Sequence, residues 1–147
     1  MREPYQILSI PYRVVDGKPL FWIFRRADSS YWQFIAGGGE NGETPIEAAK
    51  RETFEEIGVE PKNIQQLTCI AHVPAGVIAE SKRQRWDKNT FVIPEYSFAF
   101  ECDLEPTLSN EHTKYKWVTY DEGRKLLKWD SNKVAMYEIK CILENRE

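Results

Sequence analysis

Aromatic and β-branched residues gather in six stretches, residues 6–15, 20–26, 32–35, 64–73, 90–101 and 115–119, and this pattern predicts six strands. Asp16-Gly17, between the first two, predicts a hairpin turn. Helical spacing appears next. Ile46, Ala49, Thr53 and Ile57 fall within a narrow arc at about 100° per residue. They predict the buried stripe of a helix that starts at Pro45, behind a T-x-x-E capping box of Thr44 and Glu47, and stops at Gly58. A short helix is predicted from 120 or 121 to 127. A last one is predicted from about 132 to 144, where Val134, Ile139, Ile142 and Leu143 give an apolar side. No repeat, low-complexity tract or linker interrupts the series, so strands mixed with helices predict one domain, 1–147, with a sheet covered by helices.

The helix from Pro45 carries the chemistry. Glu52, Glu55 and Glu56 stand at i, i+3 and i+4, which brings their side chains together beside the buried stripe. A solvated acidic face is the ordinary account of such a cluster. Here, however, only Lys50 and Arg51 lie close enough in sequence to offset three like charges. A divalent cation removes the conflict. Glutamate oxygens suit Mg²⁺ or Mn²⁺, which keeps several waters and bridges one or two protein carboxylates to substrate phosphates. Gly37, Gly38, Gly39 and Gly42, read as a loop before the helix, let the backbone approach such a ligand closely.

This spacing resembles the Nudix box, G-x5-E-x7-R-E-U-x-E-E-x-G-U with U apolar. Gly37, Glu43, Arg51, Glu52, Glu55, Glu56 and Gly58 fill its fixed positions. At roughly 7% usage per residue type, chance agreement is on the order of 10⁻⁸ per start position. Thr53 at the first U position is the one minor departure, and its methyl group can face a core. The resemblance implies the α/β/α sandwich of that family, with a mixed sheet, and metal-assisted water attack on phosphorus. It implies Glu52, Glu55 and Glu56 as the main Mg²⁺ ligands, with Mn²⁺ as the alternative ion. It also implies the carbonyl of Ala36 as a further ligand and Arg51 as the residue that orients the cluster through a glutamate such as Glu43. It implies that one of Glu52, Glu55 and Glu56, or Glu111, serves as the base.

Shorter stretches narrow the resemblance. F-R-R at 24–26, Y-W-Q at 31–33, E-H-T-K-Y-K-W-V at 111–118 and W-D-S-N-K at 129–133 look like the bacterial dihydroneopterin triphosphate, or dATP, pyrophosphohydrolase branch. That branch implies a nucleoside or dihydroneopterin triphosphate cleaved to the monophosphate and pyrophosphate. It adds Glu111 to the metal site and Ser131, Arg2 and Arg25 to the substrate side, with Gly37 and Gly38 lining the phosphates. Arg25 reads equally as a solvated edge charge, and Ser131 as the N-cap of the last helix. His112 reads as a structural histidine. Residues 81–89 interleave Lys82, Arg83, Arg85 and Lys88 with Trp86. Such a run is by default a solvated loop, and in this branch it contacts substrate, through Arg83 and Arg85 here. Ala36 stands where close relatives have threonine, so substrate choice stays open. Dinucleoside polyphosphates, oxidised nucleotides and nucleotide sugars are the alternatives within the family, and a non-catalytic nucleotide sensor is the alternative outside it.

Composition trims this picture. A net charge of −3 argues against broad binding to polymeric nucleic acid. With 41% apolar residues the chain can build a real core. The absence of a signal-like start and of a long apolar run predicts a cytoplasmic protein with no membrane partner, and a homodimer stays open. Cys69, Cys102 and Cys141 are read as buried thiols rather than a disulfide or zinc set.

Overall fold

The computed structural model describes residues 1–27, 29–105 and 112–146. Its strands are β1 (Arg2–Val15), β2 (Lys18–Arg26), β3 (Trp32–Gln33), β4 (Ile35–Glu40), β5 (Gln65–Pro74), β6 (Val92–Glu101) and β7 (His112–Val118). Its helices are α1 (Pro45–Ile57), α2 (Tyr120–Leu126) and α3 (Asp130–Glu144). Among the described residues the strands form one mixed sheet of seven, ordered β3-β2-β1-β6-β5, with β4 on β1 and β7 on β2.

β1 organises this sheet. It turns into β2 at Asp16 and Gly17, whose φ angles of 52° and 78° are those of a tight hairpin, and Val15 pairs with Lys18. It also pairs antiparallel with β4, and in parallel with β6 from Gln6↔Glu95 to Tyr12↔Glu101. Alternating side chains of these strands build two apolar layers. One gathers Ile7, Trp22, Phe24, Phe98 and Phe100 against Ala48, Ala49 and Ile57 of α1. The other gathers Ile10, Phe21, Ile23 and Phe34 against Ala135, Met136 and Ile139 of α3. Helices thus cover both faces, as the expected α/β/α arrangement requires.

Local signals place α1 well. Thr44 accepts from the Glu47 amide at 3.4 Å, Glu47 accepts from the Thr44 amide at 3.0 Å, and Gly58 closes the helix at φ 70°. The buried arc is nevertheless rotated. Ala48 and Glu56 are buried with Ala49, Thr53 and Ile57, while Ile46 in the first turn is 37% exposed. That rotation turns Glu56 inward and leaves Glu55 outside.

Other boundaries move for tertiary reasons. The stretch 32–35, expected as one strand, divides at Phe34, whose amide donates to the Asn132 side chain at 2.8 Å instead of to a neighbouring strand. Gly37, Gly38 and Gly39, expected in a loop, continue β4 against β1. α3 begins at Asp130 with Trp129 as its N-cap, so Ser131 lies inside the first turn and does not cap it. Where the register of β5 and β6 shifts, the amides of Thr68 and Cys69 donate to Glu138 of α3 at 2.6 and 2.8 Å, which ties α3 to the sheet. Of the cysteines, only Cys102 is buried; Cys69 and Cys141 are half-buried and all three are unpaired by disulfides.

Candidate active site

One open cleft of about 1550 Å³ brings the chemistry together. Its floor is the sheet face that carries Gln6 and Leu8 of β1 and Glu95 and Ser97 of β6. α1 supplies Glu52 and Glu56 at one side, and the first turn of α3 supplies Ser131 and Asn132 at the other. Tyr31 and Trp129 form an edge-to-face pair at its lining, with ring centroids 5.6 Å apart.

The glycines of β4 explain how α1 comes so close. A Cβ on Gly37 would collide with the Glu52 carboxyl, one on Gly38 with the Arg2 guanidinium, and one on Gly39 with the Tyr5 hydroxyl. Because successive strand residues face opposite ways, Gly37 and Gly39 make room on one side and Gly38 on the other. Glycine is required here for close approach rather than for unusual dihedral angles.

Arg51 then fixes the carboxylates. Its Nε and Nη2 donate to the two Glu43 oxygens at 2.8 and 3.0 Å, and Nη2 also donates to the Gly38 carbonyl at 2.8 Å. Nη1 donates to Glu52 at 3.0 Å and to Glu55 at 3.1 Å. A guanidinium has five N–H donors, and all five are used. The bidentate bond to Arg51 holds the Glu43 carboxyl below its ordinary range, and the same bond raises the Arg51 pKa. Tyr5 braces the corner by donating to the Glu43 carbonyl at 2.8 Å; burial, with Glu43 adding to it, pushes its phenol up to about 12.

Arg2 is placed differently. Its Nη2 donates to Gln6 at 2.6 Å within the cleft. Burial pulls its pKa down, and Glu52 is the strongest influence opposing that. Arg85 also lines the cleft, over Met1 Sδ at 3.9 Å. The loop that carries it is pinned by Trp86, whose indole donates to the Arg2 carbonyl at 2.6 Å.

The expected site residues therefore divide. Arg2, Ala36, Gly37, Gly38, Glu52, Glu56, Arg85 and Ser131 all line the cleft. Glu55 does not; its side chain is 55% exposed and turned to Arg51. Arg25 also lies outside the lining, where Arg26 is found instead, and Arg83 donates to the Ile78 carbonyl at 3.0 Å. Glu111 lies outside the described residues. Among the described residues no three His, Cys, Asp or Glu side chains are grouped as a metal-binding set. Two carboxylates at i and i+4 face the cleft, and such a donor pair suits a hard divalent ion that takes its remaining ligands from water and phosphate. The residues fit that group.

Several cleft residues were not expected, and three of them are buried polar groups in the first turn of α3 or on β6. Glu95, Ser97 and Asn132 are 5%, 3% and 2% exposed. The signal for the first two was an alternation in which Ile93, Glu95 and Ser97 share the inward face of β6. Burial pushes the Glu95 carboxyl up, and a hydrogen bond from Ser131 offsets part of this.

Comparison with known proteins identifies the family and the fold. A family model described as the NUDIX domain matches residues 10–138. An RNA pyrophosphohydrolase of Francisella tularensis is 30% identical over 112 residues, which cover 69% of each chain. A NUDIX hydrolase structure from Listeria monocytogenes is 38% identical with a TM-score of 0.84, covering 97% of this chain and 96% of that one. The dihydroneopterin triphosphate pyrophosphohydrolase of E. coli shares the fold, at 23% identity and a TM-score of 0.75, with 96% of this chain and 97% of that chain covered. Among the described residues no helix is long and apolar enough to cross a membrane.

Proposed function

The chain belongs to the Nudix hydrolase family, and on that premise we propose that it cleaves a nucleoside or dihydroneopterin triphosphate to the monophosphate and pyrophosphate, with Mg²⁺ as its ion. One observation carries the reading. Glu52 and Glu56 face the cleft beside Arg2, while every donor of Arg51 is spent on holding the carboxylates and the β4 backbone in place.

In this reading Glu52 and Glu56 hold the ion, with the Ala36 carbonyl and Glu111 as further ligands. A bound divalent ion supplies charge neutralisation and acidifies the attacking water. Arg51 acts as a positioning residue, since it has no donor left for substrate. Arg2 and Arg85 supply positive charge for the phosphate chain, and the Gly37 and Gly38 backbone lets that chain lie close to β4. The proton lost by the attacking water passes to a carboxylate of the Glu52, Glu56 and Glu111 set. Ser131 lies at the far side of the cleft and meets the organic part of the substrate. Arg25 and Arg83 contribute only if a substrate group extends past the cleft.

The test is turnover of a triphosphate panel with Mg²⁺ or Mn²⁺, with products resolved by phosphorus NMR. A monophosphate with pyrophosphate is expected, and failure to cleave any triphosphate with either ion refutes the proposal. RNA bearing a 5′-triphosphate belongs in the panel because the Francisella relative is named for RNA. With a dinucleoside polyphosphate added to the panel, cleavage of that compound alone, to two nucleotides, would instead indicate a dinucleoside substrate.

A further inference from the structure

On the cleft floor Gly38, Gln6, Glu95 and Ala71 stand in one cross-strand row from β4 through β1 and β6 to β5. Glu95 is 5% exposed, and its Oε1 is buried with no hydrogen-bond partner. A carboxyl withdrawn from water with an acceptor left open is costly, and a ligand that brings donors removes the cost.

The neighbouring groups show which ligand chemistry fits. The Phe34 amide donates to Asn132 Oδ1 at 2.8 Å, which orients that side chain so that its Nδ2 donates to Ser131 Oγ at 3.2 Å. Ser131 therefore accepts from Asn132 and has its own hydrogen to give, and the Glu95 carboxyl receives it. Glu95 is thus supported as an acceptor on the α3 side, while Oε1 waits for a donor.

We propose that Glu95 selects the ring carried by the substrate, accepting the two adjacent N–H donors of a 2-amino-4-oxopyrimidine edge such as that of guanine or a pterin. Adenine and cytosine offer a donor beside an acceptor at the corresponding edge, and hypoxanthine lacks the amino group. The placement rests on the triphosphate reading above. Two strand spacings, about 10 Å, separate Gly38, where the Arg2 guanidinium lies, from Glu95. That span leaves room for a sugar or short polyol between phosphate and ring. Tyr31 and Trp129, beside Ser131, offer aromatic surface to the ring face.

The test is calorimetric binding of GMP, neopterin monophosphate, IMP and AMP to the metal-free protein. GMP or neopterin monophosphate is expected to bind at least ~10-fold tighter than IMP and AMP, because a site built to accept N–H groups rejects analogues that lack them. Glu95→Gln should erase that gap, and Ser131→Ala should narrow it. Equal binding of all four, no binding of any, or a gap that survives in a folded Glu95→Gln protein overturns the proposal. The wild-type ranking alone decides if the variant does not fold. Because no metal or turnover enters this measurement, a failure to hydrolyse triphosphates would refute the preceding reading separately.

Discussion

The hydroxyls of Ser9 in β1 and Thr53 in α1 meet at 2.6 Å, and both residues are fully buried. Thr53 also donates to the Ala49 carbonyl at 2.7 Å, so its single hydrogen is spent and Ser9 must be the donor between the two. The polar residue at an otherwise apolar position of the box is thereby matched across 44 residues by a serine on the facing strand. The pair docks α1 on the sheet.

Thr53→Val should therefore destabilise the protein by about 1–3 kcal/mol, since it leaves a buried Ser9 hydroxyl without its acceptor. The double variant Ser9→Ala, Thr53→Val should recover much of that loss, because no polar group is then stranded. Denaturant unfolding of the four proteins gives the coupling energy, and strict additivity would contradict the pairing.

Arg51→Lys keeps the charge but loses the planar fork that reaches Glu43, Glu52, Glu55 and the Gly38 carbonyl together. Turnover should fall about 10- to 100-fold, as for other groups that orient ligands. If Arg51→Lys turns over as fast as wild type, the guanidinium is not positioning the carboxylates.

The Glu43 carboxyl has a folded pKa below its ordinary 4.5, chiefly through its bond to Arg51. Its stabilisation is therefore complete above that ordinary value and disappears as pH falls through the folded pKa. Melting temperatures of wild type and Glu43→Gln should differ most near neutrality and converge below the ordinary glutamate range. A gap that widens on acidification would mean the sign is wrong.

Gly37→Ala and Gly38→Ala separate two functions of one strand. The first drives the Glu52 carboxyl from its place and should lower kcat by about 10²-fold, the cost of a small misplacement at the reacting centre. The second displaces the Arg2 guanidinium and should act mainly on KM. Both clashes involve the ends of flexible side chains, so the loss of stability should be small in each. Steady-state kinetics showing the same split for both variants would dispose of this assignment.

Glu52→Gln and Glu56→Gln should each reduce turnover on the order of 10²-fold or more, and removal of divalent ions by a chelator should abolish it. Glu55→Gln should cost less, because its exposed side chain faces Arg51 rather than the cleft. Near-normal activity of Glu56→Gln at saturating Mg²⁺ would sink the assignment.

The amino-acid sequence by itself determined those features whose causes lie a few residues apart. Thr44, Pro45, Glu47 and Gly58 set both ends of α1 through bonds no longer than one helical turn, and Asp16-Gly17 set the first hairpin through its own dihedral angles. The box spacing identified the carboxylates for a similar reason, since side chains at i, i+3 and i+4 of a helix must be neighbours. What tertiary structure decided is which of those neighbours face the cleft. A rotation of the buried arc separates Glu56 from Glu55, and that rotation depends on the sheet beneath the helix. The glycines lie in a strand paired with β1, where Arg2, Tyr5 and Glu52 occupy the space side chains would need, a contact no local pattern encodes. Glu95 entered the site because β6 runs parallel to β1 in the register Gln6↔Glu95, with Ser131 carried in from the far end of the chain. Strand order and register join residues that share no short-range interaction, so their meeting is legible only once the chain has folded.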